Sequence, residues 1–126
     1  YLVVGGYAVA LHGHPRYTKD LDIWIYVNTT NAEILINTFN EFGFSSLDLE
    51  TNDFMTFGNV VQLGSPPNRI NLLTSVDGVE FESCYESKFE VDIEGIRINF
   101  INLEDLKKNK KASGRHQDLA DLENLE

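Results

Sequence analysis

The chain has 126 residues, 42% of them hydrophobic and eight of them Phe, and carries a formal charge of −10. That length and composition fit a single globular domain over 1–126, able to bury roughly two-thirds of its unfolded surface. The charge argues against a non-specific grip on a nucleic-acid backbone. No apolar run approaches the ~20 residues of a membrane span, and no basic-then-apolar signal peptide opens the sequence.

The chain begins at Tyr1, already in an apolar run and without Met, so an N-terminal segment is expected ahead of this numbering. Leu2 to Val4 reads as a short buried strand. Gly6 to about His12 reads as a helix, with Ala8 and Ala10 small enough for close packing on a sheet, and Gly13 and Pro15 end it. His12 and His14 flank that end, as substrate contacts or as helix-capping and turn residues. Asp20 to Val27 reads as the central strand. Its period of two puts Asp20 and Asp22 on one face, with Trp24 and Tyr26, while Leu21, Ile23 and Ile25 point into a core.

Asn28 to Asn31 supplies a turn with helix-capping residues. Ala32 to Phe42 follows as an amphipathic helix, with Ile34, Leu35, Thr38, Phe39 and Phe42 at helical spacing and Gly43 as its closing glycine. Ser45 to Asn52 is a short helix or a loop, and Asp53 to Phe57 begins a strand or turn. Asn59 to Gly64 and Arg69 to Thr74 form a hairpin about the turn Ser65-Pro66-Pro67-Asn68. Asp77-Gly78 reads as a turn, and Gly78 to Tyr85 is mixed. Lys88–Ile93 and Ile96–Ile101 form a second hairpin about Glu94-Gly95. Asn102 caps a helix to Lys111, with Glu104 and Asp105 in its first turn and lysines in its last. Arg115 to Leu125 reads as a final helix with a Leu119, Leu122 and Leu125 stripe.

Two stretches carry chemistry. Gly5 and Gly6 stand where a strand gives way to a helix, a place where backbone N–H groups can approach a phosphate closely. Asp20 and Asp22, side by side, repel each other unless a cation lies between them. Oxygen ligands of this kind suit Mg²⁺. Arg16 and Lys19, just before the pair, can each meet a phosphate or stand as a surface charge. Five of the ten basic residues (Lys107, Lys108, Lys110, Lys111 and Arg115) fall within nine positions, as a local basic patch or a solvated helix face. The lone Cys84 cannot form an internal disulfide, which points to a reducing, cytoplasmic setting and to a small core residue.

The string Gly5-Gly6-Tyr7-Ala8, His12-Gly13, Arg16, Thr18, then Asp20-Leu21-Asp22, resembles the signature of the DNA polymerase beta-like nucleotidyltransferase superfamily. It also resembles the small bacterial members, which include the abortive-infection and toxin–antitoxin nucleotidyltransferases. Lys110, Gly114-Arg115, Asp118-Leu119 and Asp121-Leu122 resemble their closing helices. The resemblance implies an α/β (α+β) minimal nucleotidyltransferase fold, a twisted mixed sheet of about four to six strands with helices packed on it.

It further implies transfer of a nucleoside monophosphate from an NTP to an acceptor hydroxyl, with release of pyrophosphate. Asp20 and Asp22 would hold Mg²⁺ (or Mn²⁺), and Gly5, Gly6, Arg16 and Lys19 would bind the nucleotide. The acceptor could be an RNA end, a protein hydroxyl or a small molecule, and a protein partner fits a toxin–antitoxin pair. The run Arg69-Ile70-Asn71-Leu72-Leu73 departs from the resembled pattern. Asn71 stands where a third carboxylate is usual, so it joins Asp20 and Asp22 as a catalytic position without a charge or the ability to take a proton. A catalytically impaired module that binds nucleotide or a partner is therefore the alternative.

Overall fold

A computed structural model describes residues 1–44, 48–65 and 68–125. Strand β1 (Leu2–Val4) is buried along its whole length. On one side it pairs antiparallel with β2 (Asp20–Trp24), and on the other parallel with β6 (Ile96–Phe100). β2 pairs parallel with β4 (Arg69–Leu73), which forms the expected hairpin with β3 (Val60–Leu63). β5 (Phe89–Ile93) and β6 form the second hairpin. The result is one mixed sheet in the order β3-β4-β2-β1-β6-β5, an α/β arrangement with its most buried strands in the middle.

The helices are α1 (Gly5–Leu11), α2 (Thr29–Glu41), α3 (Phe81–Glu86), α4 (Leu103–Ser113) and α5 (His116–Leu125). Strand alternation divides the core in two. Ile23, Ile25, Ile70 and Leu72 pack with Ala32, Leu35, Ile36 and Phe39 of α2. Trp24 and Leu73, on the opposite face, pack with Ala8, Val9, Cys84, Leu106 and Leu125. Leu21, expected with Ile23 and Ile25, joins this second cluster. Cys84 is fully buried, and that burial pushes its thiol up to about 12, so it serves as a small core residue.

Several boundaries and faces differ from the sequence reading. β2 ends at Trp24 instead of Val27. The Ile25 N–H still donates to Leu73 O, but Asn31 Nδ2 then donates to Tyr26 O and draws the chain into a cap. α2 begins at Thr29, because Asn28 accepts a 2.7 Å bond from the Asn31 N–H; an Asn at that position satisfies an otherwise orphan donor. The buried stripe of α2 runs through Ala32, Leu35, Ile36 and Phe39, leaving Ile34 and Phe42 exposed. Leu35 and Phe39 belong to both the expected and the observed stripe, and packing against Ile25, Phe54 and Leu72 brings Ala32 and Ile36 inward beside them.

A 3₁₀ turn spans Thr51–Phe54; residues 45–47 of the ambiguous stretch, and Pro66 and Pro67 of the hairpin turn, lie outside the described residues. The Asn102 cap of α4 holds, accepting from the Asp105 N–H at 2.8 Å, and Gly114 ends that helix with φ +66°. In α5 only Leu125 of the expected stripe is buried. Leu119 faces solvent, and the inward positions belong to Asp118 and Asp121. His12 does turn work: its Nε2 meets Ile101 O at 2.9 Å and its ring lies against Phe89. No helix among the described residues is long and apolar enough to cross a membrane.

Candidate active site

The register of β2 against β4 sets Asp20 opposite Arg69 and Asp22 opposite Asn71. All four side chains therefore leave one face of the sheet together. Arg69 holds Asp20 in a two-pronged ion pair, Nε to Oδ1 at 3.0 Å and Nη2 to Oδ2 at 2.9 Å. Asn71, 8% exposed, donates from Nδ2 to both carboxylates, at 3.0 Å to Asp20 and 2.8 Å to Asp22. Its Oδ1 is buried without a partner among the described residues. The two carboxylates differ accordingly. The Arg69 hydrogen bonds hold Asp20 below the usual carboxyl range. Burial pushes Asp22 up, the neighbouring Asp20 charge adds to the rise, and the Asn71 bond opposes it.

β1 delivers the helix start to the same place. Val4 pairs with Asp22, so Gly5 emerges beside the Asp22 carboxylate. A Cβ on Gly5 would overlap Asp22 Oδ2, and one on Gly6 would come within 2.7 Å of Thr18 Oγ1. Gly5 also has φ +67°, which a side chain would strain. The two glycines thus let Asp22 and Thr18 close over the start of α1.

These residues line a cleft of about 670 Å³ that also takes in Arg16, Lys19, Lys110, Arg115 and Asp118. The wall from α4 and α5 is an ion network. Lys110 Nζ lies 3.2 Å from Asp118 and 3.0 Å from Asp121. Arg16 clamps Asp121 through Nε and Nη2 at 2.8 and 2.9 Å, and Arg115 Nε donates to Asp118 at 2.7 Å. Burial alone would raise both aspartates. Arg115 and Lys110 hold Asp118 below its ordinary value, and Arg16, Lys110 and Gln117 do the same for Asp121.

A model of the family described as "Nucleotidyltransferase of unknown function (DUF6036)" matches residues 1–126. The chain belongs to that nucleotidyltransferase family. No curated protein matches it. The cleft brings together the residues expected to hold the metal and the nucleotide: Gly5, Gly6, Arg16, Lys19, Asp20 and Asp22 line it, and Asn71 bridges the two aspartates, whereas His12 and His14 are not among its lining residues.

Sequence reasoning missed two things. Arg69 was passed over, although its place two residues before Asn71 on one strand predicts a shared face. The basic cluster is not one patch. Lys110 is buried between aspartates, Lys107 pairs with Glu104, and Lys108 and Lys111 are exposed. The spacing of Asp118 and Asp121, one helical turn apart opposite Lys110, was the available signal.

The donor set fits a hard divalent cation. No group of three or more His, Cys, Asp or Glu able to hold a metal occurs among the described residues, so protein ligands come to two carboxylates and an amide. Turning the Asn71 amide over exchanges Nδ2 for the partnerless Oδ1 between the carboxylates. The Asn71 carbonyl would then join the two carboxylates as an oxygen donor, a set that would suit Mg²⁺ or Mn²⁺ completed by phosphate and water.

Proposed function

We propose that this chain transfers a nucleoside monophosphate from an NTP to an acceptor hydroxyl, with pyrophosphate as the leaving group. The observation that carries this reading is the pairing of Asp20 and Asp22 across Asn71 at the floor of a cleft that Lys19 and Arg115 also line. Asp20, Asp22 and the Asn71 carbonyl would hold Mg²⁺ (or Mn²⁺), which when bound neutralises phosphate charge and stabilises the oxygens of an in-line displacement. Lys19, exposed at the mouth, and Arg115, whose side chain is 79% exposed, are placed to meet the triphosphate. Arg16 is already committed to Asp121, so it orders the wall and offers only its remaining donors. Gly5 and Gly6 leave the backbone open beside Asp22. A cytoplasmic protein of the toxin–antitoxin type within the polymerase beta-like superfamily, working with a protein partner, fits the same reading.

A second reading has its own observation. Asn71 donates to both carboxylates and Arg69 neutralises Asp20, so the pair is held together without a metal ion. Such a site could bind nucleotide yet turn over slowly, since Asn71 adds no charge and takes no proton.

Thermal-shift titration with each NTP, with and without Mg²⁺ or Mn²⁺, tests the first reading. A site filled at a hundred times its Kd stabilises the fold by about 2.7 kcal/mol. The shift should require metal and vanish in Asp20→Asn/Asp22→Asn; no shift in either protein would overturn the reading. Asn71→Asp decides between the two. It should tighten Mn²⁺ binding about tenfold or more by adding a third charge. If only Asn71→Asp labels an acceptor, the native chain is an impaired enzyme.

A further inference from the structure

A second cleft, of about 300 Å³, adjoins the first and shares Ser75 with it. Its lining includes Trp24, Tyr26, Phe57 and Phe81, with Glu80 and Glu82. Trp24 follows Asp22 by two positions on β2, so its side chain leaves the same face of the sheet roughly 7 Å further along. That is within the span of one small molecule, and the volume is at the lower end of small-ligand sites.

The rings form an ordered row. Phe81 meets Trp24 edge-on with centroids 5.1 Å apart, lies 5.3 Å from Tyr26, and stacks on Tyr85 at 5.6 Å. Lys88 Nζ sits 4.1 Å from the centre of the Tyr85 ring. The row therefore already accepts one ammonium, at its end outside the cleft.

Charge distinguishes the two clefts. Arg16, Lys19, Arg69, Lys110 and Arg115 all line the first, whereas no cation is among the described residues lining the second. Glu80 and Glu82 are exposed, and neither forms an ion pair among the described residues. A phosphate here would meet two carboxylates and no counter-charge. An organic ammonium would meet both carboxylates and the aromatic residues that line the cleft, Phe57 being the most exposed of them.

We propose that this cleft receives the ammonium end of the acceptor, a small hydroxyl-bearing amine, and that the hydroxyl end extends along the sheet toward Asp22. The direction of the hydroxyl rests on the transfer reading above; the ammonium site does not. In the transfer step the acceptor oxygen bonds to the α-phosphorus, the bond from that phosphorus to pyrophosphate breaks, and the hydroxyl proton passes to solvent.

Isothermal titration calorimetry with choline, its neutral isostere 3,3-dimethyl-1-butanol, and adenosine tests the site. Choline should saturate the native chain and bind about tenfold more tightly than the neutral alcohol. Glu80→Gln/Glu82→Gln should remove that advantage, and Asp20→Asn/Asp22→Asn should leave it intact. The Glu80 side chain makes no cap bond to α3, so the variant keeps its fold, which circular dichroism checks. Phe57→Ala is a second probe. This ring is 73% exposed, so its loss should weaken choline without unfolding the chain.

Equal binding of choline and the neutral alcohol, or choline binding unchanged in Glu80→Gln/Glu82→Gln, would overturn the proposal. Adenosine binding that is lost in that variant, with no choline binding, would overturn it in favour of the NTP base. Choline binding in a chain that binds no NTP would keep the ammonium site and defeat the transfer reading alone.

Discussion

Asp20 and Asp22 stand two residues apart on a strand, and Asp118 and Asp121 stand three apart on a helix. Both spacings bring two carboxylates to one face, yet the fold treats the pairs in opposite ways. The helical pair is buried and met by three cations, Arg16, Lys110 and Arg115. Among the described residues the strand pair is bonded by one cation, Arg69, and that cation serves Asp20 alone. Asp22 has, among the same residues, only a neutral amide donor from Asn71. A carboxylate pair saturated from within is wall material, whereas a pair left short of positive charge at the floor of a cleft has capacity for a cation from outside. The contrast lies in the partners, and the residue type alone does not reveal it.

The sharpest way to break this comparison is to remove the cation at the centre of the helical pair. The Lys110 side chain is 6% exposed and bonds both aspartates. Lys110→Met should destabilise the fold by about 3–5 kcal/mol, because it strands buried charge. Asp20→Asn/Asp22→Asn should cost far less, or nothing, in metal-free buffer. Urea denaturation of both variants gives the test, and a loss below about 1 kcal/mol for Lys110→Met would show that the wall is not structural.

A smaller effect is expected at Gly5. Alanine there meets a left-handed backbone position, worth about 1–2 kcal/mol per residue, and its Cβ would overlap the Asp22 carboxylate. Gly5→Ala should therefore lower stability modestly while displacing Asp22, so that divalent-ion affinity falls more than stability does. Mn²⁺ titration beside denaturation separates the two. Equal ion affinity in the variant would mean that Asp22 has room to move, which the strand register argues against.

Much of this was legible in the sequence, because local chemistry set it. Both hairpins, the Asn102 cap and the shared face of Asp20 and Asp22 follow from turn residues, capping rules and strand period. Asn28 shows the limit: capping residues were visible from 28 to 31, but only the Asn28–Asn31 bond selects where α2 starts. In α5 the periodic leucines promised an apolar stripe, yet Asp118 and Asp121 turn inward because Arg16, 105 residues before Asp121, and Lys110 wait for them. Burial of charge is decided by partners distant in the chain, and periodicity carries no record of them. Pairing of Asp20 with Arg69, 49 residues apart, was hidden for the same reason.

The gentlest probe sharpens the comparison through its sign. An ordinary Asp carboxyl titrates at 3.8. Asp118 and Asp121 are held below that value by their cations. The unfolded chain binds more protons there, so their contribution to stability is fully present above pH 3.8 and is lost as pH falls through their folded values. Asp22 is raised instead, by burial first. The folded chain then binds the extra proton, and stability falls as pH rises from 3.8 through the folded value of Asp22, leaving a fixed cost at neutral pH. Urea denaturation between pH 2.5 and about 7 in metal-free buffer should therefore show slopes of opposite sign in two variants. Asp22→Asn should remove a falling limb, and Asp121→Asn a rising one, so that the slopes decide even though the second variant is less stable throughout. Adding Mg²⁺ should erase the Asp22 limb alone, since a cation between the carboxylates favours their charged forms. The same falling limb in native chain and Asp22→Asn would mean that the strand pair is no more strained than the helical one.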